Sequence, residues 1–348
     1  MEHVHTSSPR VVFEAVDSTD LPLEEREMLH IANLATGLRP TPGKGSVTVL
    51  IATFNGEKYL EEQLHSLESQ TWPRIDLVVS DDGSMDGTLG KLDGFVRTWD
   101  RGTATVIQRQ HSGFAENFRS LMTLDGIEGD YVAYCDQDDI WEPDKLRKAI
   151  DWLDSQDPDV PALYCGRTRA FPSMQDKALS PLFTRPPSFR NALVQSIAGA
   201  NTMVMNRAAF DVVCEATRRT GFVSHDWWTY LIVTGIGGKV YYCPEPDVHY
   251  RQHDDNLVGA NNTWRARFLR LRFMLAGRFK DWSDKNISSL EACRDMLTTH
   301  AQECLDEFCD ARRGNTISRL YHLKKSGVYR QTMKGQLGLV LACILGLI

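Results

Sequence analysis

Between Val47 and Ser155 short apolar runs alternate with stretches of helical spacing, and this alternation constrains the fold more than any other property of the chain. Val47–Ala52 reads VTVLIA. A strand with one wet face alternates in polarity, whereas a continuous apolar run is expected of a strand covered on both faces. Glu57–Ser69 follows with Leu60, Leu64 and Leu67 at helical spacing. The pattern repeats. Strands are predicted at Ile75–Val79, Ala104–Ile107 and Asp130–Cys135, and helices over Asp86–Trp99, Ala115–Thr123 and Pro143–Ser155. In the last of these Pro143 suits a first-turn position and Asp144 lies near the positive helix end. Strands and helices in this order imply right-handed crossovers, hence an α/β fold with a mostly parallel sheet flanked by helices.

Outside this block the order loosens. Residues 19–37 carry Leu23, Met28, Ile31 and Leu34 roughly on one helical face, and Arg39-Pro40-Thr41-Pro42-Gly43 reads as a linker. Ala162–Cys165 and Thr202–Met205 read as strands, Ala208–Thr217 and Trp227–Thr234 as helices, and Val240–Tyr242 and Val248–Arg251 as two short strands. Residues 264–334 read as helical and basic. The expected division is an N-terminal extension (1–45) with one helix, a catalytic domain (46–260, in halves 46–158 and 159–260), and a basic helical C-terminal region (261–348).

Charge separates the function classes. The chain of 348 residues has a net charge of −7, which argues against nucleic acid as a partner. The stretch 264–334 nevertheless holds 15 Lys/Arg against 8 Asp/Glu. Trp264, Phe268, Leu271 and Leu275 share a helical face there, with Arg265, Arg267, Arg270 and Arg272 interleaved, as in a helix that lies on an anionic membrane surface. The last fourteen residues, GQLGLVLACILGLI, are uncharged and too short for a bilayer span of about 20 residues. The eight cysteines include no CxxC pair and the N-terminus has no apolar run, so reduced core thiols and no signal peptide are expected. These features predict a cytoplasmic protein, peripheral on the inner face of the cytoplasmic membrane.

The polar residues fall where a parallel sheet binds ligands. Thr53-Phe54-Asn55 follows the first strand of the alternation, Asp81-Asp82-Gly83-Ser84 the second, and Asp136-Gln137-Asp138-Asp139 the fourth, all at carboxyl ends. Neither GxxxxGK[ST] nor a GxGxxG between strand and helix is present. A nucleoside diphosphate held by Asp136 and Asp138 therefore needs a bridging metal, and hard carboxylate oxygens suit Mg²⁺ or Mn²⁺.

As a set, VTVLIATFNGEKYLEEQLHSLESQT, DLVVSDDGSMDGT and GDYVAYCDQDDIWEPDKL resemble glycosyltransferase family 2, whose members have the GT-A fold. The resemblance covers roughly residues 46–255 and implies a Rossmann-like GT-A sheet. It implies that Thr53 and Asn55 line the nucleotide, that one carboxylate of Asp81 and Asp82 accepts the N3–H of uracil or thymine, and that Asn117 lies near base and ribose. It assigns the main metal contact to Asp138, and has Asp136 face the donor sugar or ribose or reach the metal indirectly. The family's (E/H)D pair maps onto His225-Asp226 and makes Asp226 the catalytic base, with Trp227 and Trp228 as an acceptor platform. The late YRxH pattern maps onto Tyr250-Arg251-Gln252-His253, which gives His253 to the metal or diphosphate and Arg251 to phosphate.

The resemblance thus implies inverting, metal-dependent transfer of a sugar from a nucleotide donor to a glycan, lipid-linked, in cell-surface polysaccharide synthesis. DQDDIW with HDWW and YRQH resembles rhamnosyltransferase-like members, so dTDP-L-rhamnose is the first donor expected and UDP-sugars the next. Two rival readings are a sugar-1-phosphate nucleotidyltransferase and an inactive sugar-nucleotide-binding scaffold. The first needs a Gly-rich basic loop in place of Thr53–Lys58, and Asp138 and Asp226 argue against the second.

Overall fold

The computed structural model describes residues 45–171, 179–252 and 278–348, and the backbone of 31–33. Its strands are β1 (Ile31–Asn33), β2 (Val47–Thr53), β3 (Ile75–Asp81), β4 (Ala104–Gln108), β5 (Tyr131–Cys135), β6 (Ile140–Trp141), β7 (Ala162–Phe171), β8 (Val204–Asn206) and β9 (Lys239–Arg251). They form one sheet in the order β1-β4-β3-β2-β5-β8-β7-β9-β6. The centre, β4-β3-β2-β5, is parallel, as the alternation predicts. β8 runs antiparallel between β5 and β7.

Period-two alternation splits the apolar strand residues between two cores. Val47, Val49 and Ile51 of β2 face α1 (Leu60–Glu68), α2 (Thr88–Thr98) and α4 (Lys145–Asp154). Leu50 of β2 faces the other way, toward α3 (Phe114–Met122), α5 (Phe189–Ala192), α6 (Arg207–Arg219) and α7 (His225–Gly235). With both faces covered, a continuous apolar strand costs nothing in exposed surface.

Two elements differ from expectation. Ile31–Asn33, inside the predicted helix 19–37, is extended and pairs antiparallel with β4. β4 otherwise ends the sheet, and an edge of unpaired N–H and C=O groups recruits a strand. The rest of that helix lies outside the described residues. The two short strands predicted within 240–251 are one strand, β9, parallel to β7 with register shifts on either side of Arg167. Pro244 and Pro246 break the apolar pattern in sequence, and the bulge accommodates them.

The C-terminal region contains α8 (Arg278–Ala292), α9 (Thr299–Asp310), α10 (Thr316–Ser326) and α11 (Met333–Leu345). Thr298, Asn315 and Thr332 cap the last three by accepting backbone N–H bonds. Leu290, Leu305, Phe308, Leu323 and Leu339 join the same core as α5, α6 and α7. All eight cysteines are free, and all but Cys309 are buried. The interfacial helix expected at Trp264–Leu275 lies outside the described residues.

Candidate active site

β2, β3 and β5 are neighbours and parallel, so their carboxyl ends bring three polar loops together. Thr53 and Asp81 are cross-strand partners and project from the same face. The Thr53 hydroxyl donates to Asp81 Oδ1 at 2.8 Å, and Ser84 adds its backbone N–H to Oδ2 and its hydroxyl to Oδ1. Asn55 sits at φ 46°, the left-handed region an Asn tolerates best among residues with a Cβ. That turn lets its N–H reach Ser84 Oγ and its Oδ1 accept the Met85 N–H. The first and second loops are thereby fastened to each other.

Gln137 fastens the first loop to the third. Its amide accepts from the Phe54 N–H at 2.8 Å and donates to the Phe54 carbonyl at 3.0 Å, as a neighbouring strand would. A Cβ on Gly56 would lie 2.3 Å from Gln137 Oε1, so any larger residue there would displace the Gln137 amide from Phe54. Gln137 carries no signal of this role in the sequence, because the role depends on a partner 83 positions away.

Asp82 is buried and fully engaged. It accepts the Ser112 N–H and hydroxyl, the Gly113 N–H at 2.8 Å and His111 Nδ1 at 2.9 Å. Gly113, at φ 92°, turns its N–H into this carboxylate at the start of α3. His111 in turn stacks on Phe54, with ring centroids 4.2 Å apart. Asn117 is buried, and its amide closes on Ser80, which also accepts from Arg109 Nε.

The DQDD turn is held from β9. Asp139 is buried and accepts the Arg251 N–H at 2.9 Å and the Asn201 side-chain amide. Arg251 Nε donates to the Asp138 carbonyl at 2.7 Å, and its terminal nitrogen pairs with Glu62 at 2.9 Å. The guanidinium lies over the rings of Tyr59 and Phe171. Burial first, and then the charges of Asp139, Asp138 and Asp226, raises the Asp136 carboxyl well above the usual carboxylate range. Burial and Asp138 push Asp139 up to about 7, against the hydrogen bonds from Asn201 and Arg251. Tyr250 lies beside the same groups. Its hydroxyl is raised by burial and by the charges of Asp136, Asp139, Asp138 and Asp226.

Asp226 opens α7 and accepts the Ser196 hydroxyl at 3.2 Å. Burial raises its carboxyl, with hydrogen bonds from Ser224 and Ser196 acting the other way. As the candidate base, Asp226 must be ionised to act, so activity resting on it is expected above its raised pKa and is lost as pH falls through it. The acid limb of kcat/KM is expected to have its midpoint above the ordinary aspartate value of about 3.9. Ser196→Ala removes a bond that favours the charged form and moves that limb to higher pH. A pH–rate profile with its acid limb at the ordinary value in both proteins contradicts this.

Two assignments are corrected here. Trp227 and Trp228 are 6 % and 0 % exposed, with their indole N–H groups on the Ala192 carbonyl and Thr217 Oγ1, so they are core and not an acceptor platform. Trp228→Ala is expected to cost about 3–5 kcal/mol of stability. Chemical denaturation reads this directly, and a loss under about 1 kcal/mol would contradict the core placement. Arg251 is 6 % exposed and spent on Glu62 and the DQDD turn, so it positions the turn and is not available to phosphate. His225 is buried and neutral, its pKa lowered to about 3 by burial, and its ring stacks on Phe118 at 3.6 Å. His253 lies outside the described residues. Tyr250, Asn201 and Ser196 were not singled out in sequence; the YRQH pattern was the one available signal for Tyr250.

Residues 48–213 match the family model described as glycosyl transferase family 2, a span that includes all three loops and stops before Asp226. The dTDP-rhamnosyl transferase RfbG of Shigella flexneri is 30% identical over 237 residues, 64% of this chain and 78% of RfbG. TuaG of Bacillus subtilis, named for teichuronic acid biosynthesis, is 26% identical over 65% of this chain and 86% of its own length. Among solved structures, Staphylococcus aureus TarS 1-349 in complex with UDP-GlcNAc overlays with a TM-score of 0.48 at 14% identity, over 86% of this chain and 92% of that one. With three strand-end loops matched to the family model and a relative aligned over most of its length, the chain belongs to glycosyl transferase family 2.

Proposed function

We propose that this glycosyltransferase is inverting and metal-dependent, and that it moves a sugar from dTDP-L-rhamnose or a UDP-sugar to a glycan, lipid-linked, during cell-surface polysaccharide synthesis. The observation that carries the reading is electrostatic. Asp136, Asp138 and Asp139 end the nucleotide half, Asp226 opens a helix of the second half, and Asp226 is among the charges that act on Asp136. In this reading the donor sugar lies between them, with a carboxylate on either side.

Among the described residues no group of three or more His, Cys, Asp or Glu converges to hold a metal unaided. A donor complex asks for less. Mg²⁺ and Mn²⁺ sites of this kind use one or two carboxylates and complete their shell with phosphate oxygens and water. Asp138 and Asp136 are hard oxygen donors crowded by like charge, which a cation relieves, so the residues fit. Asp138 and Asp136 would hold such an ion, and it would supply positive charge to offset that of the departing diphosphate. The chain's own residues do the rest. The Asp81 carboxylate, oriented by Thr53 and Ser84, accepts the N3–H of a uracil or thymine. Asp82, already accepting from Ser112, Gly113 and His111, fixes the loop around it. Asp226 takes the acceptor hydroxyl proton as that oxygen bonds to the anomeric carbon. The bond from that carbon to the β-phosphate oxygen breaks on the opposite face, and configuration inverts.

The test is a panel of nucleotide sugars with Mn²⁺, read by thermal shift and then by donor hydrolysis. Stabilisation and turnover with a dTDP- or UDP-sugar support the reading. Binding without turnover supports a scaffold, and pyrophosphate release from a nucleoside triphosphate supports a nucleotidyltransferase.

A further inference from the structure

We infer that the outer face of α10 and α11 is a docking surface for an anionic lipid membrane, with α11 lying in the interface plane. On α11 Met333, Leu337, Leu341, Ile344 and Leu345 are 80 %, 66 %, 47 %, 39 % and 52 % exposed. On the adjoining α10, Ile317 and Tyr321 are 82 % and 61 % exposed. Only five other large apolar side chains are exposed among the described residues, and those are spread between Phe54 and Tyr241. Met333, Leu337, Leu341 and Ile344 recur every three or four positions and so share one side of the helix. Leu339, Ala342 and Cys343, on the opposite side, are buried in the core. A helix apolar all round is normally covered all round; among the described residues, α11 is covered on one side only.

Length and charge identify what covers the other. Thirteen helical residues reach about 20 Å, short of a hydrocarbon core of about 30 Å. No described helix is long and apolar enough to cross a membrane. The helix therefore lies in the surface and does not span it. Residues 311–348 hold seven Lys/Arg and no Asp or Glu. Arg312 and Lys325 are paired with Asp284 and Glu307. Arg313, Lys324 and Lys334 are exposed and make no ion pair among the described residues. Apolar side chains bordered by free cations suit anionic headgroups above acyl chains. A second copy docked two-fold on the same face would set these like charges against each other.

The surface is tied to the site. Just before α11, the Gln331 N–H donates to the side chain of Gln195, whose neighbour Ser196 bonds Asp226. Asn191 of α5 donates to the Tyr329 carbonyl at 2.9 Å. A membrane-held acceptor would thus meet a protein whose base is braced by the docked segment. Docking on lipid does not depend on donor chemistry.

Full-length protein sedimented with phosphatidylcholine vesicles, with and without phosphatidylglycerol, tests it. Binding is expected with phosphatidylglycerol, weakening as salt rises. Leu337→Glu/Leu341→Glu is expected to lower the partition constant about tenfold or more, with thermal midpoint and hydrolysis of a soluble donor unchanged. Lys324→Glu/Lys334→Glu, which leaves the apolar face intact, is expected to lower it on anionic vesicles only. Unaltered vesicle binding in both variants, or no binding by the wild type at low salt, overturns the inference. So does a lipid-free dimer of the wild type that Leu337→Glu/Leu341→Glu converts to monomer, since the face then belongs to a second copy. Loss of donor hydrolysis by the wild type would count against the glycosyltransferase mechanism and leave the vesicle result standing.

Discussion

Asp226→Asn is expected to lower transfer by about 10²–10⁴-fold while donor affinity stays near the wild-type value. An acceptor hydroxyl is a poor nucleophile until its proton begins to leave. A carboxylate within hydrogen-bond reach takes that proton in the transition state, and an amide cannot. The substitution preserves shape, so Ser196 keeps a side-chain oxygen to donate to. The loops proposed to hold the nucleotide sit at the ends of β2 and β3, in the other half of the sheet, and are not altered. Stability is expected to change little, because what is lost at the start of α7 is one favourable charge at a helix N-terminus, about 0.3–1 kcal/mol. Removing a carboxylate that burial disfavours offsets part of that. Transfer and donor titration measured on the same preparation decide the matter. Near-native turnover excludes Asp226 as the base, and loss of both activity and cooperative unfolding assigns it to the fold instead.

How far this site was legible in the chain depends on whether each feature is local. Strand ends are local: VTVLIA stops at Thr53, DLVVS stops at Asp81, and the parallel arrangement follows from alternation alone, so three loops could be placed at one edge without coordinates. What joins the loops is not local. Gln137 clasps Phe54 from 83 residues away, and Ser196 reaches Asp226 across 30. No spacing in the sequence marks either pair. Arg251 lies within the YRxH pattern, but its guanidinium is engaged by Glu62, 189 positions earlier, so motif position misstated its role. Trp227 and Trp228 are different, because a signal was present. From Trp227 to Val233 the residues are apolar or aromatic on nearly every side of the helix, which indicates burial all round and leaves no face for a sugar. β1 fails for the reason short strands commonly do: three residues at a sheet edge take their conformation from the neighbour and not from themselves.

Asp138→Ala is expected to lose at least about 10²-fold in rate, since charge stabilisation by a bound metal supplies several kcal/mol. Chelation with EDTA should reduce the wild type to a similar level and the variant hardly further. The fold is expected to survive, and the direction of the stability change is itself informative. Asp138 is one of the charges that raise the carboxyls of Asp136 and Asp139. A carboxyl raised in the folded state binds its proton more tightly there than in the unfolded chain, so stability falls as pH rises from the unfolded pKa to the folded one. Without Asp138 both raised values move back toward the ordinary range and that loss diminishes. Without metal, the variant's thermal midpoint at pH 8 should therefore equal or exceed that of the wild type, and the margin should narrow toward pH 5. Arg251 still donates to the backbone carbonyl of residue 138, so the turn keeps its brace from β9. An inactive variant at least as stable as the wild type thus separates metal binding from structural support. Full activity of the wild type in EDTA refutes the metal role, and a variant that melts well below the wild type at pH 8 makes Asp138 a structural residue of the turn.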